Sequence, residues 1–303
     1  MPELRKDYFL DRYVIIASER KKRPEEFLEF KKQEFSNSKG KLCFFCPGNE
    51  NTTPPEISRI EKSGSWIVRN FPNKFPATRW HEVVVETPEH DKELTDLDVS
   101  TIVKVFELAA KRVEAIEKNK EVKYVIIFKN FGEDAGASLE HSHMQIAGMD
   151  IIPPSIKEEI FSVKRYMQKK GRCPYCDILN KEKNSERKIF EDKHTLAFSP
   201  YASRFPYEVW IMPKRHLNSL KKFKKEEILS FCETLRKILL RMRKMLSKPA
   251  YNFYINFVKN EDLHLHLVIF PRITKFAGFE FGSDVIINII SPEDSAKSYR
   301  DEI

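Results

Sequence analysis

The feature that most limits how this chain can fold is that it is written twice. The pair Cys43 and Cys46 in LCFFCPG returns 130 residues later as Cys173 and Cys176 in RCPYCDI, and Phe75-Pro76 returns at the same offset as Phe205-Pro206. HEVVVET at 81–87 matches YEVWIMP at 207–213, which sets Glu82-Val83 over Glu208-Val209, and each segment runs on to a histidine, His90 or His216. Apolar residues at helical spacing follow in both copies: Leu97, Ile102, Val103, Phe106, Ala110 and Val113, then Ile228, Phe231, Leu235, Leu239 and Met242. Thr95 is the expected N-cap of the first helix. A β-rich run comes next, YVIIFKNF at 124–131 and YNFYINF at 251–257, and finally HSH at 141–143 overlays HLH at 264–266. Each copy therefore reads Cys-x-x-Cys, strand, His, helix, strand, His-x-His. The expected fold is α+β, with two similar halves, residues 1–155 and 156–303, each a mainly antiparallel sheet with a packed helix, and with the option of one sheet continuous across the pair.

The repeat makes a metal argument that neither half makes alone. Cys43, Cys46, His90 and His141 recur as Cys173, Cys176, His216 and His264 in the same order. Zinc at structural sites favours a closed tetrahedral shell of two thiolates and two imidazoles, so about two zinc ions are expected. A redox role for the Cys-x-x-Cys pairs would leave the matched histidines unexplained. Cys232 falls on the apolar face of the second helical pattern and reads as a buried thiol. His81 and His194 have no histidine counterpart in the other copy, and the sequence gives them no role.

The copies differ where chemistry is expected. In an extended strand, His141, His143 and Gln145 of SLEHSHMQI share one face. In the second copy Val268 follows His266 where the first has Gln145. The first copy also brings Gly132, Gly136 and Ser138 up to its His-x-His, and small residues let backbone N–H groups approach a phosphate. A neutral imidazole is a good nucleophile toward phosphorus, and an amide beside it can hold non-bridging oxygens. Glutamine is no general acid, so the leaving group should depart without a proton, as a phosphate or sugar phosphate does. These residues point to nucleotidyl transfer in the first copy.

Composition sets outer bounds. No run of about 18 apolar residues occurs and the first residues, MPELRKDYFL, are charged, so a cytoplasmic protein without a membrane partner is expected. The net charge of +8 suits an anionic ligand, although many lysines stand beside glutamates, as in Lys224 to Glu227, which is the pattern of a solvated surface.

His-x-His-x-Gln, preceded by a Gly/Ser loop and a Cys-x-x-Cys and set in a tandem repeat, resembles the galactose-1-phosphate uridylyltransferase branch of the histidine-triad superfamily. The similarity runs from DRYVIIASERKKRP to FAGFEFGSDVIINIISPED, almost the whole chain. The resemblance implies that His143 takes up the nucleoside monophosphate and that Gln145 positions the phosphate. It also implies nucleotide contacts from Arg20, Arg23, Asn73, Asn130 and Ser138, and hexose contacts from Lys275, Phe279 and Glu280. Ser142 and Met144 depart from the His-Pro-His-Gly-Gln of well-known members, and the Ser form also resembles ADP-sugar phosphorylases. Some members build the second metal site from a glutamate and three histidines, and Glu159 matches that carboxylate; Cys173 and Cys176 favour the sulfur-rich site here, with Glu159 or His266 left as an additional ligand.

The expected activity is ping-pong exchange: UDP-glucose loads His143 with UMP, and a hexose 1-phosphate then takes it. The alternative is an ADP-sugar or dinucleoside polyphosphate phosphorylase, with inorganic phosphate as acceptor. A basic zinc protein that binds nucleic acid is a third class, but it leaves Gln145 and the Gly/Ser loop unexplained. Nucleotide sugars and sugar phosphates are thus the expected partners, and the resemblance allows a homodimer.

Overall fold

Ten strands form one sheet that runs through both copies. The computed structural model describes residues 2–22 and 43–301, so Arg23 lies outside the described residues. The first copy supplies β3 (Ser58–Lys62), β4 (Ser65–Pro72), β5 (Trp80–Val85), β6 (Tyr124–Phe131) and β7 (His143–Met149). The second supplies β8 (Lys188–Glu191), β9 (Thr195–Phe198), β10 (Val209–Pro213), β11 (Tyr251–Val258) and β12 (Leu267–Pro271). Their order is β3-β4-β5-β7-β6-β11-β12-β10-β9-β8, in which the second half is the first read backwards. Within this sheet every pairing is antiparallel, and the seam is β6 against β11, from Tyr124 opposite Val258 to Phe131 opposite Tyr251. This is the α+β fold anticipated from the repeat.

One face of the sheet is covered by two long helices, α1 (Val99–Glu117) and α4 (Lys225–Met245). Ile102, Val105, Phe106, Ala109 and Val113 recur at helical spacing and are buried, as are Ile228, Phe231, Leu235, Leu239 and Met242. The helices meet where the Phe106 and Phe231 rings stand edge to face, 6.1 Å apart. The first helix starts later than its sequence pattern implies. Asp98, not Thr95, is the N-cap, its carboxylate accepting the Thr101 N–H at 2.8 Å, while Thr95 is buried in a short 3-10 turn and donates to Glu93. Gly148 of β7 is where α1 presses hardest: a Cβ there would sit 2.7 Å from Ile116 Cγ2.

The sheet also corrects the sequence alignment of β5 with β10. Val83 and Val85 lie on the face away from α1, packed with Phe45 and Phe71, and their counterparts on that face are Trp210 and Met212. Glu82 is therefore not the partner of Glu208. It faces α1 and binds Arg112 at 2.7 and 2.8 Å, whereas Glu208 sits on the opposite face and accepts from Trp210 Nε1 at 2.9 Å. A one-residue slip exchanges the faces of a strand. The slip is absorbed after the strand, where Glu86 is an extra residue between Val85 and Thr87.

Further elements lie along the chain: α2 (Pro154–Lys170), α3 (Pro174–Glu182), a short α5 (Gly278–Ser283) and α6 (Pro292–Asp301). The start of the chain joins its far end in a three-stranded sheet of β1 (Glu3–Lys6), β2 (Tyr13–Ile16) and β13 (Ile286–Asn288). Among the described residues, no helix is long and apolar enough to cross a membrane.

Candidate active site and metal clusters

The strand β7 carries the central residues. It lies between β5 and β6, with Gln145 opposite Val83 on one side and Phe128 on the other. Met144 and Ile146 point into the core under α1 and are fully buried, which turns His143 and Gln145 to the open face. The strand begins at His143, so His141 stands in the loop before it rather than in the strand. The two imidazoles still share a side, for the Phe45 ring lies edge-on to both, at 6.1 and 5.3 Å.

Cys43, Cys46, His90 and His141 come together with their ligating atoms within 4.8 Å of one another, and so do Cys173, Cys176, His216 and His264. Cys43 Sγ is 3.5 Å from His141 Nδ1, and Cys46 Sγ is 3.5 Å from His90 Nδ1. The second cluster repeats this, with Cys176 Sγ 3.5 Å from His216 Nδ1 and 3.6 Å from His264 Nδ1. In each, the buried histidine donates its other nitrogen to a backbone carbonyl: His141 Nε2 to Thr87 at 2.7 Å, His264 Nε2 to Pro213 at 2.8 Å. This outer hydrogen bond fixes the tautomer that leaves Nδ1 as a ligand. Burial pushes the Cys46 thiol up to about 11 and the Cys176 thiol up to about 12. Two adjacent thiolates are favoured there only with a cation between them, which is what a soft divalent metal provides. Neither Glu159 nor His266 joins the second cluster. Glu159 accepts the Tyr175 hydroxyl, and the His266 ring lies between Tyr175 and Trp210, 5.0 Å from each.

His143 is buried, and its Nδ1–H donates to the His141 carbonyl at 2.8 Å, which leaves the Nε2 lone pair for an electrophile. Burial is the main cause that pulls its imidazole down to about 4, so it is neutral at pH 7. Behind it lies a charged network that sequence reading missed. Lys129, 1% exposed, donates to Glu86 at 2.6 Å, to Ser142 Oγ at 2.9 Å and to the His143 carbonyl at 3.1 Å. The extra residue Glu86 is therefore the counter-charge of the lysine that grips the start of β7.

Gln145 meets Asn73, whose amide donates to Gln145 Oε1 at 3.2 Å, and His81, whose Nε2 lies 2.9 Å from the same oxygen. The sequence gives His81 no role, because its link to Gln145 runs across strands; the signal that points to it is the shared open face of β5 and β7. Asn130 accepts from Asn252 at 2.8 Å, and Asn252 also donates to the Ala135 carbonyl at 3.0 Å, tying down the loop between Gly132 and Gly136. Both glycines have positive φ, +85° and +81°, which side chains rarely tolerate. Ser138 is exposed on that loop. Arg20 follows β2, and Lys275, Phe279 and Glu280 precede β13, so these four belong with the small sheet. Among the described contacts, none joins them to β7; Glu280 accepts the Ala277 N–H at 3.0 Å and Phe279 is half exposed.

A palindromic α+β sheet with paired Cys2His2 clusters and a free histidine beside a glutamine defines a tandem histidine-triad protein of the nucleotidyltransferase class. Family models described as "Domain of unknown function (DUF4921)" and "Domain of unknown function (DUF4931) N-terminal domain" match residues 95–302 and 26–152. The chain is 31% identical to ADP-glucose phosphorylase of Arabidopsis thaliana, over 99% of this chain and 93% of that protein. It is 29% identical to galactose-1-phosphate uridylyltransferase of Thermotoga maritima, over 99% and 98%. The crystal structure of the Arabidopsis phosphorylase with bound ADP-glucose superposes with a TM-score of 0.88 at 30% identity, covering 99% and 98% of the two chains. The chain belongs to the family of galactose-1-phosphate uridylyltransferase and ADP-glucose phosphorylase, and it is an enzyme of that nucleotidyltransferase kind.

Proposed function

We propose that this protein is a UDP-glucose:hexose-1-phosphate uridylyltransferase that works by double displacement through His143. The observation that carries the reading is the arrangement of His143, buried and neutral, with Nδ1 committed to the His141 carbonyl and Nε2 free beside Gln145. Nε2 attacks the α-phosphorus of the sugar nucleotide, and the sugar 1-phosphate leaves without needing a proton. Gln145 and Asn73 hold the non-bridging oxygens, and backbone groups of the loop from Gly132 to Gly136 receive the phosphates, with Asn130 and Ser138 beside them. A hexose 1-phosphate then takes the nucleotidyl group from His143. Lys275, Phe279 and Glu280 are assigned to the sugar, and Arg20 and Arg23 to the nucleotide. A homodimer is the assembly proposed.

Zinc is the metal assigned to both clusters, because two thiols and two imidazole Nδ1 atoms are its preferred donor set. The ion would hold His141 and so fix the strand that presents His143; it takes no part in the bond exchange.

The second reading is ADP-glucose phosphorolysis, favoured by the 0.88 TM-score to the Arabidopsis enzyme. One experiment separates them. Protein quenched after mixing with UDP-glucose or ADP-glucose alone is digested and weighed, and each loaded form is offered galactose 1-phosphate or inorganic phosphate. A uridylyl adduct on the peptide containing His143, discharged by the sugar phosphate, supports the transferase. An adenylyl adduct discharged by phosphate moves the assignment to the phosphorylase, and turnover with no adduct at all rejects double displacement.

A further inference from the structure

His81 reads as an ordinary histidine until its two ring nitrogens are followed separately. Nδ1 lies 2.9 Å from the backbone N–H of Ala77, which can only donate, so Nδ1 must be an acceptor. The proton of the neutral ring is therefore on Nε2, which stands 2.9 Å from the Gln145 side-chain oxygen. Burial favours that neutral ring, lowering the His81 pKa. Asn73 donates to the same oxygen at 3.2 Å; its amide nitrogen also lies 3.4 Å from His81 Nε2, which carries the ring proton and so does not accept from it. With two donors converging on Oε1, the amide of Gln145 cannot flip, for a reversed amide would set its NH2 against N–H groups.

We propose that His81 is a positioning residue for nucleotidyl transfer, locking Gln145 so that its NH2 group, not its carbonyl, is turned toward the phosphoryl oxygens. The inference rests on the reading of His143 as the nucleotidyl carrier. An unlocked glutamine would present its carbonyl lone pairs to an anionic phosphate in part of the population, which is repulsive where charge must be held. His81 itself touches no substrate.

The second copy supplies an internal control. In the register of the sheet, the counterpart of His81 is Glu208, and the counterpart of Gln145 is Val268. Glu208 accepts the N–H of Arg204, four residues before it, at 2.7 Å, just as His81 accepts that of Ala77. Holding that loop thus requires only an acceptor, and a carboxylate does it. What the imidazole adds is the donor on its other side, and that donor occurs in the copy that has a glutamine to hold. The ring also packs against Phe128, at 6.0 Å, on the side of β6.

The test is a double-mutant cycle read by single-turnover loading of His143 from UDP-glucose and from ADP-glucose. His81→Leu should slow loading roughly 10- to 100-fold at saturating donor, with the half-saturating concentration little changed. In a Gln145→Ala background the same substitution should cost less than about twofold, because the residue it acts through is gone. His81→Gln should recover most of the rate, since one amide both accepts from Ala77 and donates to Gln145. A purely structural histidine predicts otherwise: equal losses in both backgrounds and no rescue by glutamine, and either result overturns the proposal. Should His81→Leu not fold, His81→Gln against Gln145→Ala carries the comparison, and a glutamine variant as slow as Gln145→Ala overturns the proposal as well. Failure of wild-type protein to form any nucleotidyl adduct is a separate result that overturns the reading of His143 and this inference with it.

Discussion

On the proposed mechanism the residues around His143 divide into those that react and those that hold, and the two kinds should fail differently. His143→Ala removes the proposed nucleophile while its neighbours stay held by other contacts, so loading should vanish while metal content and melting temperature stay near wild type. A fall in metal content with the rate would assign His143 to the cluster instead. Lys129 is of the second kind. Its ammonium and the Glu86 carboxylate are almost fully buried, and removing one partner strands the other charge. Lys129→Met should cost about 3–5 kcal/mol in chemical denaturation, whereas replacing both residues by apolar ones should cost less. Equal losses for the single and double replacements would show that the pair is not coupled. Of these positions, the shared face of His143 and Gln145 was legible because a strand repeats every two residues. Lys129 was not legible: among 53 Lys and Arg residues nothing local separates a buried lysine from a surface one. His81 escaped for a related reason, since its partner Gln145 is 64 residues away in sequence and diagonal to it in the sheet.

At the scale of elements, the helices were the easiest to read, because 3.6-residue periodicity survives errors of a residue or two at the ends. Their caps were not, and Asp98 displaced Thr95. The cap of α4 has a measurable consequence. Glu227 accepts the Lys224 N–H at 2.8 Å and pairs with Arg215, whose hydrogen bond is the main cause that lowers its carboxyl to about 2. An unfolded glutamate titrates near pH 4.3. The folded state therefore binds this proton less readily than the unfolded state, so Glu227 contributes stability above about pH 4.3, and that contribution fades as pH falls toward 2. Melting curves of wild type and Glu227→Gln should lie apart at pH 6 and converge between about pH 4 and 2; a constant gap would mean that the carboxylate charge is irrelevant. The metal clusters act on elements too. Cys43→Ser should lower both metal content and activity, because the first cluster holds the approach to β7. Cys173→Ser should lower metal content and stability with a smaller loss of activity, as its cluster anchors the second copy. Identical activity losses from the two would remove the distinction between the copies.

The molecule as a whole is a duplicated unit whose copies have stopped being separable. Sequence offsets made the duplication plain, and the paired cysteines and histidines found their partners within each copy. The sequence allowed a sheet continuous across the pair, but the offsets could not convey which strands make the seam, eight residue pairs of β6 against β11, because strand pairing between copies leaves no periodic trace in either one. The small sheet was hidden for the same reason: β2 pairs in parallel with β13 from the far end of the chain. The apolar core follows the seam. Residues of both copies, among them Phe106, Ile127, Phe231 and Ile255, belong to one continuous buried cluster beneath α1 and α4. Phe231 is fully buried, and Phe231→Ala should cost about 3–5 kcal/mol. The loss should not be confined to the second copy. Since α1 and α4 pack on one sheet through this contact, heat should unfold both copies in a single transition that the substitution shifts as a unit. The check is calorimetry with the metal kept bound, alongside hydrogen exchange at β7 and β12. Exchange should quicken on both strands together in Phe231→Ala; quickening on β12 alone, or a second calorimetric transition, would mean that the copies fold independently and that the shared core does not couple His143 to the second copy.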